Sequence, residues 1–481
     1  PGDVGGALAQ APLWGFGRSV AMEQRSLWGG LIDLDPSDND PIGELASCWR
    51  VAATEDQLAA RSGRVLAPRL RSAPELVGDP PASPSGDGTY LVTGGTGGLG
   101  LLVAGWLVDR GARSVVLVSR RGAEADAAVR TVARWQEAGV EVRVEAADVA
   151  SLDALAGVIS RIDASGRPLR GIVHAAGVLD DGILQKLDRA RVETVCRPKI
   201  AGALALDQLT GDRELDFVIQ FSSISALVGA AGQANYAAAS AFLDAFAVGR
   251  SRPGRPMLAV NWGLWDGEGL GAHLDVRHRN RLAAQGFTPL TAAEGVHAFG
   301  RLLGRQGSVV VARADWAVCG SGRPWSSVLR PFHAGLAAGP AGGSSGWLAH
   351  RVRQGAATES GELLRDAVRG QVAAVLGCDP DAVPLERGFF DLGMDSLLAM
   401  DLRARLEAAL DDTLPPTLTF DHPTTARLAA HLAHRFGAGE PVTVDTSGPT
   451  DPARDTLTEV ERLSPVELEA LIDREVDSLL K

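Results

Sequence analysis

The 481-residue chain reads as an α/β protein built on a doubly wound parallel sheet, with a small helical bundle behind it. Three observations predict this. An apolar strand runs into the glycine-rich turn Thr93-Gly94-Gly95-Thr96-Gly97-Gly98-Leu99-Gly100, which opens a helical pattern. Short apolar strands and amphipathic helical patterns then alternate as far as residue 312. Near the other end, Asp395-Ser396-Leu397 starts a helix whose Leu398, Leu402 and Leu406 recur at every fourth position.

Taken in order, residues 1–85 carry helix and strand patterns, including Arg64-Val65-Leu66-Ala67-Pro68, but no glycine-rich turn. A Pro-, Ser- and Gly-rich stretch, Gly78–Gly88, separates them from the run of alternating strands and helices. Over 86–330 the strands are expected at Tyr90–Thr93, Val115–Ser119, Val140–Glu145, Gly171–His174, Phe217–Ser222, Leu258–Asn261 and Val309–Ala312. Such near-continuous apolar runs are buried on both faces, which a parallel sheet covered by helices provides. The first helix is expected over Leu101–Arg110. Residues 331–358, rich in Gly, Ala and Ser, read as a linker with a root-mean-square span of about 30 Å if flexible. The bundle occupies 359–437, and 438–481 is a second linker with a terminal helix. That helix has the capping box Ser464-Pro465-Val466-Glu467 and an apolar face of Leu468, Ile472, Val476 and Leu480. So short a helix needs a partner.

The length allows two to four compact units, and mean hydropathy of +0.04 fits globular domains. No run approaches the ~20 apolar residues needed to span a bilayer, so no membrane role is expected. The start, Pro1-Gly2-Asp3, has neither methionine nor signal peptide and suggests a piece of a longer polypeptide. Cys48, Cys196, Cys319 and Cys378 lie far apart with no CxxC pair, which indicates neither a disulfide framework nor a zinc site and points to the cytoplasm. The net charge of −12 is concentrated late: from Glu359 onward 24 acidic residues face 11 basic ones. An acidic C-terminal unit argues against nucleic acid and for docking to basic protein surfaces. Of 47 Lys and Arg residues only Lys186, Lys199 and Lys481 are lysines, and only Tyr90 and Tyr236 are tyrosines.

The glycine turn lets the backbone approach a pyrophosphate, which meets the unsatisfied N–H groups of the helix start. A bare glycine pattern can serve packing alone; the strand-turn-helix setting favours a dinucleotide. About 20 residues on, the next strand ends Ser119-Arg120-Arg121. An acid there would accept the ribose hydroxyl of NAD, whereas arginines suit the 2′-phosphate of NADP, so NADPH is expected.

Thr93-Gly94-x-x-x-Gly98-x-Gly100, His174-Ala175-Ala176-Gly177, Phe221-Ser222-Ser223 and Tyr236 resemble the short-chain dehydrogenases/reductases. Arg197-Pro198-Lys199 and Gly232-Gln233-Ala234-Asn235-Tyr236-Ala237-Ala238-Ala239 narrow the resemblance to the ketoreductase of modular polyketide synthases, over roughly residues 1–330. The resemblance implies a Rossmann catalytic domain preceded by a partial Rossmann-like structural subdomain, of which Leu13–Arg18 and Leu27–Leu31 are the marks. It also implies cofactor contacts at Thr93, Gly94, Thr96, Gly97, Gly98, Leu99, Ser119, Arg120, Arg121, Asp148, Val149, Ala175, Ala176 and Gly177. The chemistry explains the catalytic residue types. Hydride delivered to a ketone leaves negative charge on oxygen, which needs a hydrogen-bond donor and then a proton. Tyr236 supplies both if a nearby ammonium lowers its pKa from about 10. Ser223 would bond the carbonyl oxygen. Most of the superfamily places the lysine four residues after the tyrosine; here that position is Ser240, and the polyketide pattern takes Lys199 from upstream. Ser240 also departs from the asparagine usual there. Leu179-Asp180-Asp181 matches the triplet of B-type ketoreductases and implies a D-configured alcohol. Val228 and Ala238 stand where other types carry tryptophan and proline. Asn261 through Leu282 reads as a substrate-side lid.

Phe389–Leu397 and Phe420-Asp421-His422-Pro423-Thr424 resemble an acyl carrier protein, with Ser396 the attachment point for 4′-phosphopantetheine. The pair implies an enzyme that reduces a β-ketoacyl thioester held on its own carrier, at up to millimolar local concentration. Implied partners are upstream ketosynthase and acyltransferase domains and a phosphopantetheinyl transferase; the terminal helix is open to docking on a downstream module, dimerisation or a solvated tail. The alternative is a carrier and docking module with a redox-inactive, structural reductase fold; intact Ser223, Tyr236, Lys199 and glycines weigh against it. A free-standing sugar or steroid dehydrogenase is disfavoured by the carrier.

Overall fold

The structure, a computed structural model, describes residues 4–436 except 53–54, 79–83, 123–125, 268–281, 284, 321–326, 334–347, 349–350, 353–356, 377, 393, 395 and 416. The terminal helix expected after Ser464, most of the first linker and most of the lid lie outside the described residues. Among the described residues no helix is long and apolar enough to cross a membrane.

The chain opens with a 20-residue helix, α1 (Val4–Glu23), then β1 (Leu31–Asp33), α2 (Pro41–Trp49), β2 (Gln57–Arg61) and β3 (Arg64–Leu66). β2 pairs parallel to β1 and antiparallel to β3 in a three-stranded sheet. The main body then alternates β4 (Thr89–Thr93), α3 (Gly98–Asp109), β5 (Ser114–Ser119), α4 (Asp126–Glu137), β6 (Glu141–Ala146), α5 (Leu152–Asp163) and β7 (Leu169–His174). It continues through α6 (Arg189–Cys196), α7 (Gly202–Thr210), β8 (Phe217–Ser223), α8 (Ser225–Val228), α9 (Ala234–Arg250), β9 (Met257–Trp262), the short β10 (Phe287–Thr288) and β11 (Gly307–Val311). Seven of these strands form one parallel sheet in the order β11-β9-β8-β7-β4-β5-β6. All seven strands expected from the sequence are present in it.

Alternation along each strand divides the core between the two faces. Val92, Leu117, Val173, Ile219 and Val260 pack on one side. Leu91, Val116, Ile172, Val218 and Ala259 pack on the other. The order reverses at β4, which pairs with β5 on one side and β7 on the other. A parallel sheet opens a crevice at such a reversal, beyond the carboxyl ends of the strands. Tyr90 is spent in this core: it is fully buried, its ring lies 5.7 Å from that of Phe217, and its hydroxyl accepts from the Ser85 N–H. Tyr236 is thus the only tyrosine left for chemistry.

One expectation is corrected. The first helix starts at Gly98 rather than Leu101, so the end of the glycine motif forms its first turn. Gly100 fits there because a Cβ would stand 2.2 Å from the Gly94 carbonyl oxygen. The N-terminal part is also more closely joined to the body than the 78–88 stretch implies. α1 packs along α9, and a Cβ at Gly15 would stand 2.1 Å from the Ala237 carbonyl oxygen.

The bundle has its own core, with Leu364, Val368, Phe389, Leu402, Leu406, Leu418 and Leu428 all fully buried. It is built from helices Ala357–Leu376, Ser396–Leu410, Leu418–Asp421 and Thr425–Arg435. Leu398, Leu402 and Leu406 sit in this core as their four-residue spacing predicts.

Candidate functional site

A cavity of about 1230 Å³ lies across the sheet at the β4/β7 reversal. On one side it is lined by Gly94, Thr96, Gly97, Gly98 and Leu99 of the glycine motif, by Ser119 at the end of β5 with Arg120 and Arg121 after it, by Asp148 and Val149 after β6, and by Ala175, Ala176 and Gly177 after β7. Thr93 does not line it. Fully buried, it works behind the wall: its hydroxyl is 2.8 Å from His174 Nδ1 and accepts from the Ala176 N–H. His174 Nε2 lies 3.1 Å from the Lys199 carbonyl oxygen, which only accepts. The imidazole therefore carries its proton on Nε2, and Thr93 donates to Nδ1. Burial pulls the ring down to about pKa 4, so it stays neutral.

This half of the cavity fits a dinucleotide. No side chain caps the α3 N-terminus, so its first N–H groups remain to receive an anion. Gly94 adopts φ +67°, and a Cβ there would stand 2.8 Å from the Ala175 carbonyl oxygen. Arg120 and Arg121 are exposed on the rim and have no ion-pair partner among the described residues.

The other half gathers Ser223, Tyr236 and Lys199. Lys199 sits in a π-helical turn, Arg197–Ala201, between α6 and α7. Such turns recur at functional sites. Only 2% exposed, it donates from Nζ to the Phe221 carbonyl oxygen at 2.8 Å and stands 4.6 Å from the centre of the Tyr236 ring. Tyr236 lies on the first turn of α9, and Ser223 ends β8. The sequence argument expects the ammonium to acidify the phenol; burial overrides this. Desolvation pushes Tyr236 up to about 12, with Asp181 adding, and lowers Lys199 to about 8 against the opposing pull of Asp244. The phenol is thus held as a proton donor. Ser240 is fully buried and its hydroxyl has no hydrogen-bond partner among the described residues, while its carbonyl accepts from the Ser222 hydroxyl at 3.1 Å. The serine does not take over the side-chain bonds of the expected asparagine.

Leu179 and Asp181 line the same half, while Asp180 does not. Asp180 instead faces Arg191 at 3.7 Å and gives its carbonyl to Asn235 Nδ2 at 2.9 Å. Asp181 accepts from Gln233 Nε2 at 2.8 Å, which ties its loop to the start of α9. Sequence reasoning missed two residues here. Asp244 accepts from Asn261 Nδ2 at 2.9 Å, and burial raises its carboxyl to about 7. An acid inside the apolar run Ala-Phe-Leu-Asp-Ala-Phe was a visible signal. Glu23 had none. Only 1% exposed, it accepts from the Gly232 N–H at 2.7 Å and the Leu184 N–H at 2.8 Å, 209 and 161 residues away.

Ser396 is the first residue of its helix, as expected. The two carrier motifs meet: the Phe389 N–H donates to the Pro423 carbonyl oxygen at 2.8 Å, and the rings of Phe390 and Phe420 are 5.0 Å apart.

Three family models match the chain: the SpnB Rossmann fold domain of polyketide synthase extender modules over 1–70, the KR domain over 88–267, and the phosphopantetheine attachment site over 366–432. The first ketoreductase of the tylosin synthase is 37% identical, with a TM-score of 0.57 over 67% of this chain and 68% of that one. The PlmKR1 ketoreductase of phoslactomycin biosynthesis in Streptomyces sp. HK803 is 36% identical, with a TM-score of 0.58 over 65% of this chain and 72% of that one. The chain belongs to the modular polyketide synthase ketoreductases. Polyketide synthase GfsA of Streptomyces halstedii is 41% identical over 439 residues, 88% of this chain. This ketoreductase–carrier chain spans only 6% of GfsA's length.

Proposed function

We propose that the chain is an NADPH-dependent reductase of β-ketoacyl thioesters tethered to Ser396, yielding a D-configured β-hydroxyacyl thioester. The supporting observation is the convergence of Tyr236, Lys199 and Ser223 on one cavity continuous with the glycine turn. The uncapped α3 start would hold the pyrophosphate, and Arg120 and Arg121 the 2′-phosphate. Bound NADPH supplies the hydride for the carbonyl carbon. The remaining work belongs to this chain. Ser223 and Tyr236 bond the carbonyl oxygen, Tyr236 gives it a proton, and Lys199 offsets the phenolate charge from 4.6 Å. Leu179 and Asp181 shape the face from which the acyl chain approaches. Both sides of the cavity are present, which favours this reading over a structural, inactive reductase.

Ser396 would receive 4′-phosphopantetheine from a separate transferase. Its cargo would come from ketosynthase and acyltransferase domains and pass to a downstream module. The four free cysteines suit a reducing cytoplasm.

NADPH oxidation with a soluble β-ketoacyl thioester tests the reading. Parental turnover should fall at least a hundredfold in Tyr236→Phe, and the alcohol should be D-configured. Equal rates in parent and variant would defeat it.

A further inference from the structure

We propose that the carrier domain docks on the reductase at the C-terminal end of α1 through Arg403, and that Glu23 links that contact to the loops bordering the cavity. This rests on the reading above and adds where the tethered substrate is delivered. Arg403 belongs to the helix that Ser396 begins. It is 7% exposed, and its Nη2 donates to the Glu23 carbonyl oxygen at 3.0 Å, across 380 residues of sequence. Glu407, one turn on, stands 3.7 Å from its Nε. The last carbonyls of a helix lack partners within it and carry partial negative charge, so a guanidinium is suited to that position. The acidic domain therefore presents a cation to the reductase at this contact, the reverse of what its net charge alone suggests.

The position matters more than the bond. Met22, next to Glu23, lines the cavity. Residue 396 stands two turns before Arg403 on the same helix, about 10 Å along its axis. The carrier helix thus touches the reductase one residue from the cavity lining.

The Glu23 carboxylate continues the connection. One oxygen holds the Gly232 N–H, and the Gly232 carbonyl holds the Gly182 N–H at 2.8 Å. The other holds the Leu184 N–H. The segment bearing Leu179 and Asp181 and the segment leading into Tyr236 are therefore pinned by one side chain. Burial raises this carboxyl; the two N–H groups and Arg403 favour its ionised form.

The test uses the full chain with Ser396 loaded with a β-ketoacyl phosphopantetheine. Single-turnover reduction should be about tenfold slower in Arg403→Ala, the loss expected for a charged hydrogen bond. Steady-state turnover of a soluble β-ketoacyl thioester should stay within about twofold, since that substrate needs no docking. Arg403→Lys should recover part of the tethered rate. Loading of Ser396 at the parental rate confirms a folded carrier. Should Arg403→Ala fail to load, Arg403→Gln is judged by the same rule. Equal tethered rates in parent and variant would overturn the docking contact, whereas no soluble turnover in the parent would instead remove the reductase reading. Glu23→Gln presents an amide to the Leu184 N–H; it should slow both substrates and erode the stereochemical purity of the alcohol. Unchanged purity would remove Glu23 from the link.

Discussion

At the residue scale, Lys199 is the group on which the proposed chemistry turns. It is buried, hydrogen-bonded to a carbonyl, and lowered to about 8. It is cationic below that pH and neutral above it, so its help to Tyr236 disappears as pH rises. Turnover of a soluble thioester should therefore decline above about pH 8, measured as a pH–rate profile. A flat profile to pH 10 would show that the ammonium is not needed. Ser240 makes the opposite prediction. Among the described residues its buried hydroxyl has no partner, and an unpaired buried hydroxyl contributes nothing and costs desolvation. Ser240→Ala should keep parental turnover, with unfolding stability unchanged or raised by about 1 kcal/mol. A large loss of turnover would mean the hydroxyl acts in catalysis after all.

At the scale of elements, the strands were legible because each is a short apolar run bounded by turn residues, and burial on both faces leaves little room for polar interruption. The glycine turn and the Ser223, Tyr236 and Lys199 motifs were legible as short contiguous patterns that carry a family resemblance. The π-helical turn that brings Lys199 to the tyrosine was not; the lysine was found through the Arg197-Pro198-Lys199 resemblance, with its rarity in support, and its backbone is fixed by a buried histidine 25 residues earlier. The contact of α1 with α9 was equally hidden, since α1 has no motif and its glycines look like ordinary breaks. Gly15→Ala tests that contact. With the Ala237 carbonyl 2.1 Å from the new methyl, the helices must part, at a cost of about 1–3 kcal/mol in chemical unfolding. No measurable cost would mean the two helices adjust freely.

At the scale of the whole molecule, sequence patterns separate three pieces, and the structure joins two of them into one working body. Arg18 illustrates it: its side chain bonds Gln57 in the N-terminal sheet at 2.8 Å and also the Ala226 carbonyl behind the cavity. Contacts spanning some two hundred residues leave no periodic trace, so a boundary drawn near residue 85 follows composition rather than mechanics. Anyone building hybrid synthases would be tempted to splice at that proline-rich seam. A transplant cut there would pair the tyrosine helix with a foreign neighbour and lose the acid that ties its two flanking loops together. A splice that keeps α1 with α9 keeps the inherited pair intact.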